Sequence, residues 1–191
     1  MSSRKVIYNK GMDLTETKLE SLEIYKGKSF SFSVDTVRLP DGKVSKKEVL
    51  HHPGGVAVVA VEDGKLLVER QYRYPVGEVL IEIPAGKLDK IPGEKPEEAA
   101  QRELLEETGY TAGKLEYLGR MHVSPGVVTE TLYIYFASSL VRHESRELDE
   151  DEFLEAEWMP LTEVMERIRQ GELSDAKLLG ALMMAEARDL L

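Results

Sequence analysis

The chain has 191 residues, 42% of them hydrophobic, enough to bury one substantial core with a small accessory element beside it. Its formal net charge of -10 disfavours a polyanion such as nucleic acid as main partner, because most such affinity comes from neutralising phosphates. There is no cysteine, which removes disulfides and thiolate metal sites and fits a reducing, cytoplasmic setting. The longest apolar run, Val56 to Val61, is far short of the roughly 20 residues of a membrane-spanning helix, and no apolar stretch after Met1-Ser2-Ser3-Arg4-Lys5 reads as an export signal.

In chain order, Phe30, Phe32 and Val34 alternate with serines in the two-residue period of a half-buried strand, and Asp41-Gly42 supplies a turn before Val44. Residues 1–50 therefore read as a small β unit, poor in apolar residues, that leans on the main domain of 51–191 or on a second subunit. Val56 to Val61 and Leu66 to Val68 flank Glu62-Asp63-Gly64-Lys65, a hairpin pattern. Val79 to Ile83 continues the sheet, and Pro84-Ala85-Gly86 breaks it.

Pro96 at a first helical turn and Gly109 just past a last one predict a helix over 96–108. Strands follow at 115–118, 131–137 and 153–159, with an acidic loop at 144–152. Two helices, 162–170 and 174–190, each open with a hydroxyl residue as N-cap. This order predicts an α/β (α+β) layered fold, helices packed on a largely mixed or antiparallel sheet.

The chemistry concentrates on the first helix. Glu103, Glu106 and Glu107 are three and four residues apart, so they share one helical stripe. Two like charges at about 4 Å repel by roughly 1 kcal/mol in water and about 4 at an effective dielectric of 20. A divalent cation reverses that sign. With oxygen ligands only, the stripe suits a hard ion, Mg²⁺ or Mn²⁺, rather than zinc. Considered without its context, the same stripe would be a solvated helix face.

Gly86, Glu94, Arg102-Glu103, Glu106-Glu107 and Gly109-Tyr110 together resemble the Nudix box. Seven residues separate Gly86 from Glu94 where the family has five, the extra pair being Ile91-Pro92 at the loop tip. Arg70 to Arg73, Glu82 to Gly86 and the Ser124-Pro125-Gly126 loop are similar to the ADP-ribose pyrophosphatase branch, although Pro-Gly by itself is an ordinary turn.

The resemblance implies a Nudix fold and Mg²⁺-dependent hydrolysis of ADP-ribose to AMP and ribose 5-phosphate. Another nucleoside diphosphate sugar, or a sensor that binds without cleaving, are the alternatives. It implies Glu103, Glu106, Glu107 and the Ala85 carbonyl as metal ligands. It also implies Lys47, Glu48, Arg73, Lys87, Ser124, Pro125, Gly126 and Glu130 as substrate contacts. Lys47 and Glu48 would reach the partner's site in a homodimer. Arginine is common where Lys47 stands, so a bidentate phosphate contact would be missing there. Glu150 and Glu152, in the run 149–152, would supply the catalytic base and a further metal ligand. The choice between them stays open by a residue or two. Arg102 is expected to pair with Glu106. The four histidines and Trp158 are read as structural residues.

Overall fold

The structure is a computed structural model that describes residues 13–144, 148 and 153–191. Its contacts divide the chain into two compact units, Met1–His52 with Gly126–Val128, and Pro53–Pro125 with Thr129–Leu191.

The first unit is a three-stranded antiparallel sheet, β1 (Thr17–Lys26), β2 (Ser31–Arg38) and β3 (Val44–His51), in the order β1-β2-β3. The alternation in β2 is present, but with the opposite parity to an apolar-in strand. Ser33, Asp35 and Val37 are buried, while Phe32 and Val34 are half-buried. The polar side can be buried because it satisfies itself. Ser21 and Ser33 donate to Asp35 at 2.5 and 2.9 Å, and the Ser33 hydroxyl also meets His51 Nε2 at 2.9 Å. Every residue of the edge strand β1 is exposed.

The second unit holds β4 (Gly55–Glu62), β5 (Lys65–Arg73), β6 (Glu78–Glu82), β7 (Ala85–Lys87), α1 (Pro96–Thr108), β8 (Tyr110–Met121), β9 (Leu132–Arg142), β10 (Leu154–Pro160), α2 (Leu161–Arg169) and α3 (Ala176–Glu186). The strands run β10-β5-β4-β9-β8, with β6 on β5 and β7 on β4. The β4–β9 pair is parallel and the others antiparallel, so the sheet is mixed.

Its core lies on both faces of the sheet. Along β4, Val56, Val58 and Ala60 face one side with Ala99, Ala100 and Leu104 of α1, whereas Ala57 and Val59 face the other with Val164 of α2 and Leu178, Ala181 and Leu182 of α3. A strand covered twice is apolar throughout, which is why 56–61 is the longest apolar run in the chain.

Two local expectations need correction. The strand does break ahead of Pro84, since β6 ends at Glu82, but Ala85 and Gly86 pair again: Ala85–Lys87 forms β7 against Gly55–Ala57, and the Pro84 carbonyl accepts from Val58 N–H at 2.9 Å. Nor does a hydroxyl cap either late helix. Pro160 stands at the α2 cap position without a side-chain bond, and at α3 the Asp175 carboxylate accepts from Leu178 N–H at 2.8 Å. An ionised carboxylate is the stronger acceptor for an orphan helix N–H, so Asp175 displaces Ser174 from that role.

Candidate active site

Helix α1 carries the acids and is fixed at both ends. Pro96 occupies its first turn, Glu98 accepts from Lys95 N–H at 3.0 Å, and Gly109 closes the helix in a left-handed conformation (φ 78°). Burying Ala99, Ala100 and Leu104 orients the opposite stripe toward the loop that follows β6.

On that stripe Glu103 and Glu107 are buried, 6% and 4% exposed, which is not where unpaired carboxylates settle. Glu107 accepts from Ala85 N–H at 2.9 Å. Glu103 packs on Gly86 so closely that any Cβ there would run into its carboxylate, and glycine is the one residue that permits the approach. Burial pushes the Glu103 carboxyl above its ordinary range, and the neighbouring Arg102 only partly offsets this. More positive charge would be welcome at that point.

Arg102 is the hub of the cluster. It forks Glu94 through Nε and Nη2 at 2.9 and 2.8 Å, and its Nη1 reaches Glu103 at 2.7 Å and Glu106 at 3.0 Å. The expected Arg102–Glu106 pair is present, but as part of a network with Arg102 only 13% exposed rather than as a surface pair. The two-residue insertion at Ile91-Pro92 leaves Glu94 in place, because the fork fixes it from the helix side. Lys90, from the same loop, bonds Glu106 at 2.8 Å.

The remaining predicted residues sit as follows. Lys87 ends β7, exposed and next to Gly86. Arg73 ends β5 and is forked by Glu82 at 2.6 and 2.7 Å. Ser124 and Pro125 lie exposed after β8, and the backbone carbonyl of Glu130, just before β9, accepts from His122 Nδ1 at 3.0 Å. Lys47, Glu48 and Gly126 belong to the first unit, where Lys47 pairs with Glu16 at 3.0 Å. Glu150 and Glu152 lie outside the described residues.

Three side chains to which the sequence reading gave no role also belong to this region: Lys177, Asp175 and Glu82, the last named only within the Glu82 to Gly86 resemblance. Glu82 carried a faint signal, an acid at the end of the apolar run Val79-Leu80-Ile81. Trp158 is half-buried against Tyr110, rings at 85° and 5.5 Å. His51 and His143 meet Ser33 and Thr111, in keeping with structural roles.

Among the described residues no three acids or histidines converge as ready-made metal ligands. The reason is visible in the partners: Glu103 and Glu106 turn toward Arg102 and Lys90, and Glu107 toward Ala85 N–H. The donor set still fits a hard cation. Three carboxylates share one stripe, two are buried, and at Glu103 the effect of burial outweighs the neighbouring Arg102. A separate cleft of about 450 Å³, lined by Arg70, Glu78, Leu80, Trp158, Glu163 and Leu173 among others, contains none of these acids. The acid cluster is therefore the better candidate site. No helix among the described residues is long and apolar enough to cross a membrane.

Known proteins resemble this chain in sequence and in fold. The NUDIX domain model matches residues 51–181. An ADP-ribose pyrophosphatase of Bacillus subtilis is 43% identical over 180 residues, covering 93% of this chain and 96% of its own. A methanol dehydrogenase activator of Bacillus methanolicus is 38% identical over 178 residues, covering 92% and 95%. A crystal structure described as an ADP compounds hydrolase superposes with a TM-score of 0.79 at 23% identity, covering 96% of this chain and all of the other, so it shares the fold. With the box residues gathered around Arg102 and a domain match over most of its length, this chain belongs to the Nudix family.

Proposed function

We propose that the protein hydrolyses the pyrophosphate bond of a nucleoside diphosphate sugar, with ADP-ribose as substrate and AMP and ribose 5-phosphate as products. The observation that carries this is the buried acid stripe of α1 clamped against Ala85 and Gly86. The name of the 43%-identical relative supports the choice of sugar nucleotide.

In this reading Glu103, Glu106, Glu107 and the Ala85 carbonyl hold Mg²⁺, with Mn²⁺ as a substitute. A divalent ion bound there supplies charge neutralisation of the diphosphate and a more acidic bound water. Arg102 restrains Glu106 and Glu103 in position, and Gly86 keeps the backbone against the Glu103 carboxylate. Arg73, Lys87, Ser124, Pro125 and Glu130 contact the substrate. Water adds to one phosphorus, the bridging P–O bond breaks, and Glu150 accepts the proton, with Glu152 as the alternative base or an added ligand.

We assign catalysis to 51–191 and homodimer formation to the 1–50 unit, whose edge strand exposes Leu22, Ile24 and Tyr25. A cytoplasmic location fits a cysteine-free chain.

The test is incubation of the purified protein with Mg²⁺ and a panel of ADP-ribose, GDP-mannose and UDP-glucose, reading products by chromatography. The expected result is AMP and ribose 5-phosphate from ADP-ribose at the highest kcat/KM. Preferred cleavage of another member would shift the substrate within the class. Binding without any turnover would favour a sensor.

A further inference from the structure

Behind Arg73 stands a second charged cluster that the reaction as described does not use. Glu82, at the end of β6, is 1% exposed and carries two cations. Arg73 forks both its oxygens, and Lys177 Nζ bonds Oε2 at 2.7 Å. Lys177 also bonds Asp175 Oδ2 at 2.7 Å, while the other oxygen of Asp175 caps α3. Glu82 and Asp175 are both buried, and a line of bonds runs from the N-cap of α3 through Lys177 and Glu82 to the guanidinium of Arg73.

We propose that Lys177 is a positioning residue for substrate: through Glu82 it fixes the direction in which Arg73 presents its remaining N–H groups to the anionic ligand. The inference rests on the hydrolase reading above, in which Arg73 contacts substrate.

The physical argument starts from Glu82. Burial alone would push its carboxyl up, and the Arg73 fork with Lys177 outweighs that, so it stays ionised. An ionised carboxylate accepts two parallel N–H bonds, and this geometry fixes the plane of the guanidinium. Without Lys177, the carboxylate faces burial with one cation instead of two. Oε2 also loses one of its two donors, so the carboxylate plane that sets the fork is held by Arg73 alone. Arg73, with 39% of its side chain exposed, is then free to swing. Lys177 itself is held charged by Asp175 and Glu82 against the opposing effect of burial. Asp175 keeps its Nζ from following Arg73 outward. The C-terminal helix thereby contributes to a site built on the other elements.

Steady-state kinetics of Lys177→Met with ADP-ribose and Mg²⁺ test this, alongside the wild type and the double variant Lys177→Met/Glu82→Gln. We expect KM in Lys177→Met to rise about tenfold, the order of one hydrogen bond to a charged group, with kcat within about twofold. The double variant removes one of the two buried carboxylates that lose Lys177, so part of the melting temperature lost in Lys177→Met should return while KM stays high, since a Gln cannot fork an arginine. Recovery of KM together with stability would show a purely structural lysine and overturn the proposal, as would an unchanged KM in Lys177→Met. Should Lys177→Met fail to fold, Lys177→Gln is measured in its place, and an unchanged KM there would equally overturn the proposal. An inactive wild type would overturn the substrate reading and this inference with it, and it is distinguished by the control.

Discussion

Glu103 and Gly86 show how tightly single residues are constrained at this site. The carboxylate occupies the space a side chain at position 86 would need, so Gly86→Ala must push Glu103 off its place. Overpacking of this kind costs about 1–3 kcal/mol, and misplacing a reacting group by about 1 Å costs on the order of a hundredfold in rate. Gly86→Ala should therefore lower turnover by about a hundredfold while its circular dichroism stays native; wild-type turnover would show that the close approach has no role in catalysis. The acids of α1 were legible in the sequence because three residues at helical spacing on a bounded helix fix their own relative placement. The Glu82–Lys177 bond was not, because its partners lie 95 residues apart and only the packing of α3 on the sheet brings them together.

At the scale of elements, α1 was legible to the residue because proline and glycine mark its two ends with backbone requirements that few other residues share. The late helix caps were misread because sequence offers Ser174 and Asp175 side by side, and only geometry shows which oxygen meets the orphan N–H. Short β7 was hidden because its pairing is with the distant β4 rather than with a hairpin neighbour.

The loop ahead of α1 is tied to the helix by the Glu94–Arg102 fork, which holds the Glu94 carboxyl below the usual carboxylate range against a lesser effect of burial. Native chain then binds fewer protons at Glu94 than unfolded chain does. That contribution to stability is full above the unfolded value of about 4.3 and is lost as pH falls through the lower folded value. Thermal melting of Glu94→Gln should show a lower midpoint at pH 7 than wild type and a shallower fall between pH 5 and pH 3. Parallel curves would mean that the fork carries no proton linkage.

For the whole molecule, helices layered on a sheet were legible from strand and helix order, while the covering of both sheet faces came only with the family resemblance and the parity of β2 was not legible. Sequence alternation names two faces without saying which is buried, and here hydrogen bonds among Ser21, Ser33, Asp35 and His51 make the polar face the inner one. The apolar residues left on β1 then suit a subunit interface, since an exposed apolar edge strand otherwise invites aggregation. Light scattering at micromolar concentration should give about twice the 21.5 kDa chain mass, and Ile24→Glu should shift it toward one chain. A wild-type monomer would remove the dimer.

On the proposed function, α1 gathers a hard cation beside a diphosphate. Calorimetric titration of Mg²⁺ or Mn²⁺ into the protein, with AMP present, tests it most directly. Saturable uptake by the wild type that is lost in Glu103→Gln/Glu107→Gln is the predicted result; no uptake by the wild type, or equal uptake by the double variant, would contradict it.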